Sequence, residues 1–170
     1  MSIGQALKEA RALYGVTQKD FASELYVSRS TVAMVETGER ELPDEAVPVA
    51  VGKLDCGFLA MEVAAEYTGG AFVSKLDGDG VDLHRSSVKA KTAEELTEAL
   101  SAIQGVCVAN RPEKISSHDR EQLEHSLLQV IDAIVALAHY VAVICREYRF
   151  SWTTLWRQHR KKLKANGYLK

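Results

Sequence analysis

The 170-residue sequence predicts a mainly α-helical protein in which a linker joins two helical regions. Three observations support this prediction. Capping residues followed by apolar positions three and four residues apart recur through residues 1–67. A Thr-Gly-Gly sequence at 68–70 is typical of a domain boundary. Beyond it, apolar residues alternate in steps of three and four for nearly four heptads, which indicates a long bundle helix.

Residues 1–67 predict five short helices. Ser2 and Gln5 form a capping box at the start of the first helix, and Gly15 ends it. Pro43 predicts the start of the fourth helix, and a fifth helix is expected around Phe58. We therefore expect a small helical domain with its own core.

Residues 17–40 predict two helices joined by a tight turn. Thr17 is the expected N-cap of the first helix and Ser28 that of the second. The interior positions repeat at helical spacing and are Phe21, Ala22, Leu25, Val32 and Val35. The polar first turn of the second helix is expected to point outward and carries Arg29, Ser30 and Thr31. A helix presented in this way fits the major groove of B-DNA.

The sequences Thr17-Gln18, Ala22, Ser28 through Val32 and Glu36-Thr37-Gly38 resemble the helix-turn-helix of lambda repressor/Cro-like (XRE) transcription regulators. The resemblance covers residues 2–67 and implies a five-helix DNA-binding domain with an Arg11–Glu36 ion pair. The expected base contacts come from Arg29, Ser30 and Met34, and the expected phosphate contacts from Thr17, Gln18 and Thr37. The full set of candidate DNA-binding residues is Thr17, Gln18, Ser28, Arg29, Ser30, Thr31, Met34, Thr37 and Arg40.

Three positions depart from the family pattern. Tyr26 replaces the usual turn glycine, and a left-handed conformation there would cost about 1–2 kcal/mol. Ala33 and Met34 are apolar on the recognition helix, so hydrogen bonds from them to guanine or adenine are excluded. Glu39 and Glu41 flank Arg40, which weakens the expected phosphate contacts of that loop.

The charge is divided unevenly along the chain. Residues 1–55 carry 6 Lys or Arg against 9 Asp or Glu, whereas residues 151–170 carry 6 basic side chains and no acidic one. A negatively charged DNA-binding domain should bind non-specific DNA poorly. A helix-turn-helix retained for protein binding is the alternative. Three scattered cysteines without a CxxC pair, and no secretory signal at the N-terminus, predict a cytoplasmic location.

The linker, residues 68–91, predicts a short β-hairpin because apolar and polar residues alternate on both sides of the Asp-Gly repeat at 77–80. That repeat does not fit a calcium loop, since Lys75 would take the first ligand position and Ser86 the position of the required Glu. Ser86 and Lys89 match the Ser-x-x-Lys of acyl-enzymes, but such domains are β-rich. No catalytic residue, metal site or cofactor is predicted.

Residues 92–170 predict a helical oligomerisation domain. Thr92 and Glu95 indicate a helix start. A later helix has a heptad seam formed by Leu123, Leu127, Val130, Ile134, Leu137, Val141, Ile144 and Tyr148. A second apolar line contains Leu128, Ile131, Val135, Ala138, Ala142 and Cys145. A helix that is apolar on two faces must be covered on two sides, which predicts a bundle made by two chains.

The stretch 127–145 also has the length of a membrane span. Asp132, His139 and Arg146 follow one another on its remaining face, and a charge near the bilayer centre costs about 2.5–3.5 kcal/mol. A soluble bundle helix is therefore favoured, and no membrane contact is predicted for it.

The C-terminal tail predicts an amphipathic helix capped by Ser151. Its apolar residues are Trp152, Leu155, Trp156 and Leu163, and its basic residues are Arg157, Arg160, Lys161, Lys162 and Lys164. DNA phosphate, a membrane surface and an acidic partner all fit the basic side. Docking of the tryptophans on the bundle, with a solvated basic face, is the simplest alternative.

The sequence and its resemblance together predict a bacterial or phage transcription repressor. It would bind a double-stranded DNA operator as a dimer or higher oligomer and respond to an antirepressor or effector protein. The competing interpretation is a regulatory interaction module, antitoxin-like or antirepressor-bound, whose C-terminal helices capture a partner protein. An enzyme is not expected.

Overall fold

The computed structural model describes residues 2–109 and 111–170. Its helices are α1 Ile3–Leu13, α2 Gln18–Glu24, α3 Arg29–Thr37, α4 Val47–Leu54, α5 Gly57–Tyr67, α6 Arg85–Gly105, α7 Ser117–Tyr148 and α8 Trp152–Ala165. A single 3-10 turn, Pro112–Lys114, precedes α7. The predicted mainly α class is confirmed. The chain divides into two compact units, a first unit of residues 1–81 with 144–170 and a second unit of residues 82–143.

Helices α1 to α5 pack around a core of large apolar side chains. Phe21, Leu7, Leu59 and Val32 are almost completely excluded from solvent. Helix α1 crosses α3 at Gly4, where an added Cβ would lie 1.9 Å from the Val35 carbonyl oxygen. The absence of a side chain at this one position lets the two helices approach.

The predicted N-caps of the first three helices are present. The hydroxyl of Ser2 accepts from the Gln5 N–H at 3.3 Å, and Thr17 accepts from Asp20 at 3.1 Å. Helix α4 starts at Val47, later than Pro43 suggests. Residues 43–46 form a turn instead, because the Ala46 N–H donates to the Pro43 carbonyl at 2.8 Å.

The segment after Gly70 contains no strand within residues 71–84, so the predicted β-hairpin is wrong. Val73 is buried, and the Lys75 N–H donates to the Glu62 carboxylate at 2.5 Å. The Lys75 ammonium also lies 2.6 Å from Glu9. The segment therefore packs on α1 and α5, and a carboxylate takes the backbone donor that a paired strand would have used.

In the second unit, α6 begins seven residues before the predicted start at Thr92, with His84 as its N-cap. Thr92 is buried inside the helix, and its hydroxyl lies 2.7 Å from the Val88 carbonyl oxygen and 3.1 Å from that of Ala136. The helix start predicted at Thr92 is wrong. Its hydroxyl bonds to a carbonyl of the preceding turn, whereas the hydroxyl of an N-cap would accept from an unpaired backbone N–H of the first turn.

Helix α7 buries small residues in the second unit and exposes large ones. Ser126, Ala133, Ala142 and Val143 are buried, whereas Leu127 is 62% exposed. The other exposed apolar residues of this part of the helix are Leu128, Ile131, Ile134 and Leu137. Members of both predicted apolar lines, the heptad seam and the second line, are therefore uncovered in a single chain.

His139, predicted to share the remaining face of the helix with Asp132 and Arg146, is buried. It is 3% exposed, and its Nδ1 lies 2.8 Å from the Val135 carbonyl oxygen. A hydrogen bond to the preceding turn makes this burial tolerable. In the described part of the chain, α7 is the one helix long and apolar enough to cross a bilayer, by length and composition alone. The core helix of a soluble protein meets the same criterion.

Residues 144–170 belong to the first unit, which differs from the predicted grouping of residues 92–170. Arg149 has a φ of 62°, and the Phe150 N–H donates to the Cys145 carbonyl at 3.1 Å, so α7 ends in a sharp turn. Trp152 is buried, and the Thr153 N–H donates to Asp55 at 2.7 Å. These contacts attach the start of α8 to the α4–α5 junction.

Candidate nucleic-acid interface

The turn between α2 and α3 has the geometry of a Schellman motif. The Val27 N–H donates to the Ala22 carbonyl at 3.0 Å, and the Tyr26 N–H donates to Ser23 at 3.3 Å. Tyr26 has a φ of 55°, the left-handed conformation that its place in the turn predicts. Its side chain is 96% exposed, so packing of the ring does not compensate for the backbone strain.

The first turn of α3 forms the outward-facing part of the motif. The Ser28 hydroxyl accepts from the Thr31 N–H at 3.0 Å and fixes the start of the helix. Arg29 and Ser30 are exposed. Thr31 is only 8% exposed, and its hydroxyl lies 2.8 Å from that of Ser28. The expectation that Thr31 points outward is therefore wrong, because its hydroxyl completes the cap.

The rest of the predicted surface is mixed. Met34 is half-buried, whereas Thr37 and Arg40 are exposed. The Thr37 hydroxyl lies 3.1 Å from the Met34 carbonyl oxygen and 3.0 Å from the Glu39 carboxylate. It therefore has partners within the protein before any phosphate is bound. Of these three side chains, only that of Arg40 brings a positive charge to the end of the helix.

A buried polar network holds α1, α2 and α3 together. The Arg11 Nε donates to Glu36 Oε1 at 2.6 Å, and its Nη1 donates to the Val16 carbonyl at 2.6 Å. The Gln18 amide donates to Glu36 Oε2 at 2.8 Å. The Glu36 side chain is 3% exposed and that of Arg11 is 15% exposed. Gln18, predicted as a phosphate ligand, thus uses one of its two amide protons inside the domain.

This network changes the pKa of both charged partners. Burial alone would raise the pKa of Glu36, but the hydrogen bonds from Arg11 and Gln18 outweigh it, and the pKa is lowered. The hydrogen bond to Glu36 raises the pKa of Arg11, against the effect of its own burial. Both groups are therefore charged at neutral pH, and the ion pair joins α1 to the C-terminal part of α3.

A shallow cleft of about 520 Å³ lies where the α1–α2 loop meets the start of α3. Its lining residues are Arg11, Ala12, Gly15, Val16, Thr17, Gln18, Lys19 and Arg29. Lys19 and Arg29 are exposed there. Lys19 was not among the predicted contacts, although its position directly after Gln18 was a usable signal. Two exposed cations beside polar side chains are chemically suited to a phosphate group.

Comparison with known proteins agrees with this geometry. Residues 7–47 match a family model described as helix-turn-helix, and these residues include α2, the turn and α3. No curated protein and no solved structure matches the chain. Residues 7–47 therefore form a helix-turn-helix, which is consistent with the lambda repressor/Cro-like (XRE) DNA-binding domain that the sequence predicted for the N-terminal region.

Proposed function

We propose that the protein is a sequence-specific transcription repressor that binds a double-stranded DNA operator in the cytoplasm as a homodimer or higher oligomer. The observation that carries this proposal is the exposed first turn of α3, which the Arg11–Glu36–Gln18 network holds in a fixed orientation. Rigid placement matters because a base contact requires side-chain atoms to be positioned within about 0.5 Å.

Arg29, Ser30 and Met34 are the proposed base-reading residues. The guanidinium of Arg29 can donate two parallel hydrogen bonds to guanine, and the Ser30 hydroxyl can pair with any base edge. Met34 is suited to contact with a thymine methyl group. The proposed phosphate contacts are Thr17, Gln18, Ser28, Thr37 and Arg40, together with Lys19.

The proposed homodimer rests on the second unit. Leu96, Leu100 and Ile103 are exposed on α6, as are five large aliphatic residues of α7 between positions 127 and 137. Burial of one such side chain contributes about 1.5–3 kcal/mol, so this surface favours association strongly. A second copy of the same helices would give two recognition helices related by two-fold symmetry, spaced about 34–36 Å or a multiple of it.

Selection of bound fragments from random DNA tests the proposal directly. A two-fold symmetric site supports it, whereas a pool without sequence preference contradicts it. Arg29→Ala should then cost about 1–3 kcal/mol in operator affinity and relax the preference at one base pair. Arg111→Ala, an exposed arginine of the second unit, is the matched control and should leave the selected sequence unchanged.

Repression is tested separately with a reporter gene that carries the selected operator across its promoter. The wild-type protein should lower transcription, and Arg29→Ala should restore it. An increase in transcription with the wild-type protein would identify an activator instead.

The alternative function is a regulatory interaction module that captures an antirepressor, effector or other partner protein. The same exposed apolar surface of the second unit favours it, since a partner protein would cover that surface as well as a second copy does. A monomer in solution that purifies with a stoichiometric second protein, and that selects no DNA sequence, would establish this alternative.

A further inference from the structure

The first unit has a large charge imbalance that its C-terminal part corrects. Residues 1–81 carry 7 Lys or Arg and 13 Asp or Glu, a net charge of −6. Residues 144–170 carry 8 Lys or Arg and 1 acidic residue, a net charge of +7. A domain with a charge of −6 would be repelled by the phosphates of DNA, whereas the complete unit has a charge of +1.

Helix α8 is fixed to the body of this unit by its first turn. Trp152 is buried, and the Thr153 N–H donates to the Asp55 carboxylate at 2.7 Å. Ser151 caps the helix by accepting from the Thr154 N–H at 3.1 Å. Just before this turn, the guanidinium of Arg146 lies 5.4 Å from the centre of the Phe58 ring. The orientation of α8 is therefore determined by the helix-turn-helix domain.

The turn before α8 acts electrostatically on the C-terminal end of α1. Burial raises the pKa of the Tyr14 hydroxyl, with further contributions from Cys56 and Asp55, and Arg149 opposes them. Tyr14 is the C-cap of α1. The next residue, Gly15, is one of the residues that line the cleft containing Lys19 and Arg29.

The basic side chains of α8 are free to bind a ligand. They are Arg157, Arg160, Lys161, Lys162 and Lys164, and all five are exposed. Within residues 2–109 and 111–170, none of them forms an ion pair. Five unpaired cations on one short helix are a typical footprint of polyanion binding.

We propose that α8 is a second DNA-contacting element, whose basic residues bind backbone phosphates of the duplex that α3 reads. This inference rests on the proposed function, since it assigns a further part of the same binding surface. The basic stretch 157–164 covers about 10 Å of helix axis at 1.5 Å per residue. One DNA strand presents a phosphate every 3.4 Å or so along its axis, which allows two or three contacts.

A membrane surface fits the helix less well. An interfacial helix inserts its apolar face into the lipid, but Trp152 is already buried in the protein. Only Leu155 and Trp156 remain partly exposed on that face of the first two turns. Attachment to the DNA-binding domain also gives a phosphate-binding helix a fixed position relative to α3.

The test uses the full chain with Arg157, Arg160, Lys161 and Lys164 all changed to Gln. The control replaces four exposed cations of the second unit, Lys89, Arg111, Lys114 and Arg120, and thus has the same net charge. Binding to a short duplex is measured over a range of salt concentrations. Loss of two or three phosphate contacts should lower the slope of log K against log salt concentration by about 2–3, because each contributes about 0.9.

The control should keep the wild-type slope. A quadruple variant with the slope of the control would overturn the inference, and so would binding to anionic vesicles that the quadruple variant loses while its DNA slope stays at the wild-type value. Capture of an acidic protein by α8 that leaves the DNA slope unchanged would also overturn it.

Selection of bound DNA sequences tests the proposed function independently of the role of α8. If the wild-type protein shows no sequence preference, that proposal fails. If Arg29→Ala relaxes the preference while the quadruple variant leaves the slope unchanged, only the role of α8 is wrong.

Discussion

The first unit has an interior of large apolar side chains, whereas the second unit buries mainly small residues and exposes many of its large apolar side chains. Phe21, Leu7 and Leu59 are almost inaccessible in the helix-turn-helix domain. In the second unit the buried positions include Ala99, Ala133 and Ser126, and Leu100 is 56% exposed. Small buried residues supply little of the free energy of folding. From this difference we expect the first unit to be stable alone and the second to need a partner surface, as proposed above.

Ile134→Asp combined with Leu137→Asp should break the proposed dimer and has the largest expected effect. Both side chains remain partly exposed in the single chain, and a charged carboxylate would have to be desolvated at each position. We expect the dimer to lose more than about 5 kcal/mol, which is over a thousandfold in dissociation constant. Light scattering at micromolar concentration measures the effect.

The control for this variant is Gln104→Asp with His125→Asp, which adds the same residues at exposed polar positions of the same unit. It should remain a dimer. Trp152 lies in the first unit, so unchanged tryptophan fluorescence would show that the helix-turn-helix domain is intact. A wild-type protein that is monomeric at micromolar concentration would contradict the expectation that the second unit needs a second copy to cover its apolar surface.

Arg11→Ala tests the interior of the first unit. The variant leaves the Glu36 carboxylate buried without its charged partner, which should lower the free energy of unfolding by about 3–5 kcal/mol. Denaturant unfolding measures the loss. A double variant, Arg11→Met with Glu36→Gln, removes both charges and should be less destabilised than the single variant. A loss below about 1 kcal/mol would show that Gln18 alone satisfies the carboxylate.

The Arg11–Glu36 ion pair predicts that the free energy of unfolding depends on pH. Because the folded pKa of Glu36 is lowered, its ionisation stabilises the fold fully at pH values above its unfolded pKa, about 4.3. That stabilisation is lost as the pH falls through the lower, folded pKa. The difference in stability between wild type and Arg11→Ala should therefore be constant near neutral pH and shrink in acid. A difference that grows in acid would contradict the assignment.

Gly4→Ala should destabilise the first unit by about 3 kcal/mol, because the new Cβ would overlap the Val35 carbonyl oxygen and force α1 away from α3. Gly52→Ala is the matched control in α4, where an added Cβ meets no atom within 4 Å. It should stabilise the domain by up to about 1 kcal/mol through the higher helix propensity of alanine. Thermal unfolding of both variants measures the contrast, and equal effects would exclude a close helix crossing.

Local rules explain what the sequence predicted correctly. The caps at Ser2, Thr17 and Ser28 involve residues within one turn, so spacing alone identifies them. The left-handed conformation of Tyr26 follows from its place in the turn. The lambda repressor/Cro-like resemblance of the first domain could be recognised because its pattern is dense over residues 17–38.

The errors all involve contacts between residues distant in sequence, or a choice between two local hydrogen bonds. The β-hairpin prediction is wrong because the backbone N–H of Lys75 donates to the Glu62 carboxylate on α5. The prediction of an N-cap at Thr92 is wrong because the hydroxyl of a buried threonine can donate to a carbonyl of the preceding turn. Neither the closeness of Gly4 to Val35 nor the attachment of α8 to Asp55 has a signal in a single sequence. Docking of an amphipathic helix can be predicted from its pattern, but the surface that receives it cannot.

Tyr26 gives the smallest effect and the cleanest test of backbone strain in the first unit. The residue has a φ of 55°, and its side chain is 96% exposed, so removal of the ring costs almost no packing. Tyr26→Ala keeps a Cβ in the left-handed conformation and should be nearly neutral. Tyr26→Gly removes the strain of about 1–2 kcal/mol but adds conformational entropy to the unfolded chain, and the net gain in the free energy of unfolding should be below about 1 kcal/mol.

A rise in melting temperature for the glycine variant but not for the alanine variant would assign the effect to the backbone. If both variants are destabilised by more than about 1 kcal/mol, the tyrosine ring must make a contact that a single chain lacks. Together with the assembly state of the second unit, that result would place part of the first unit in the oligomer interface as well.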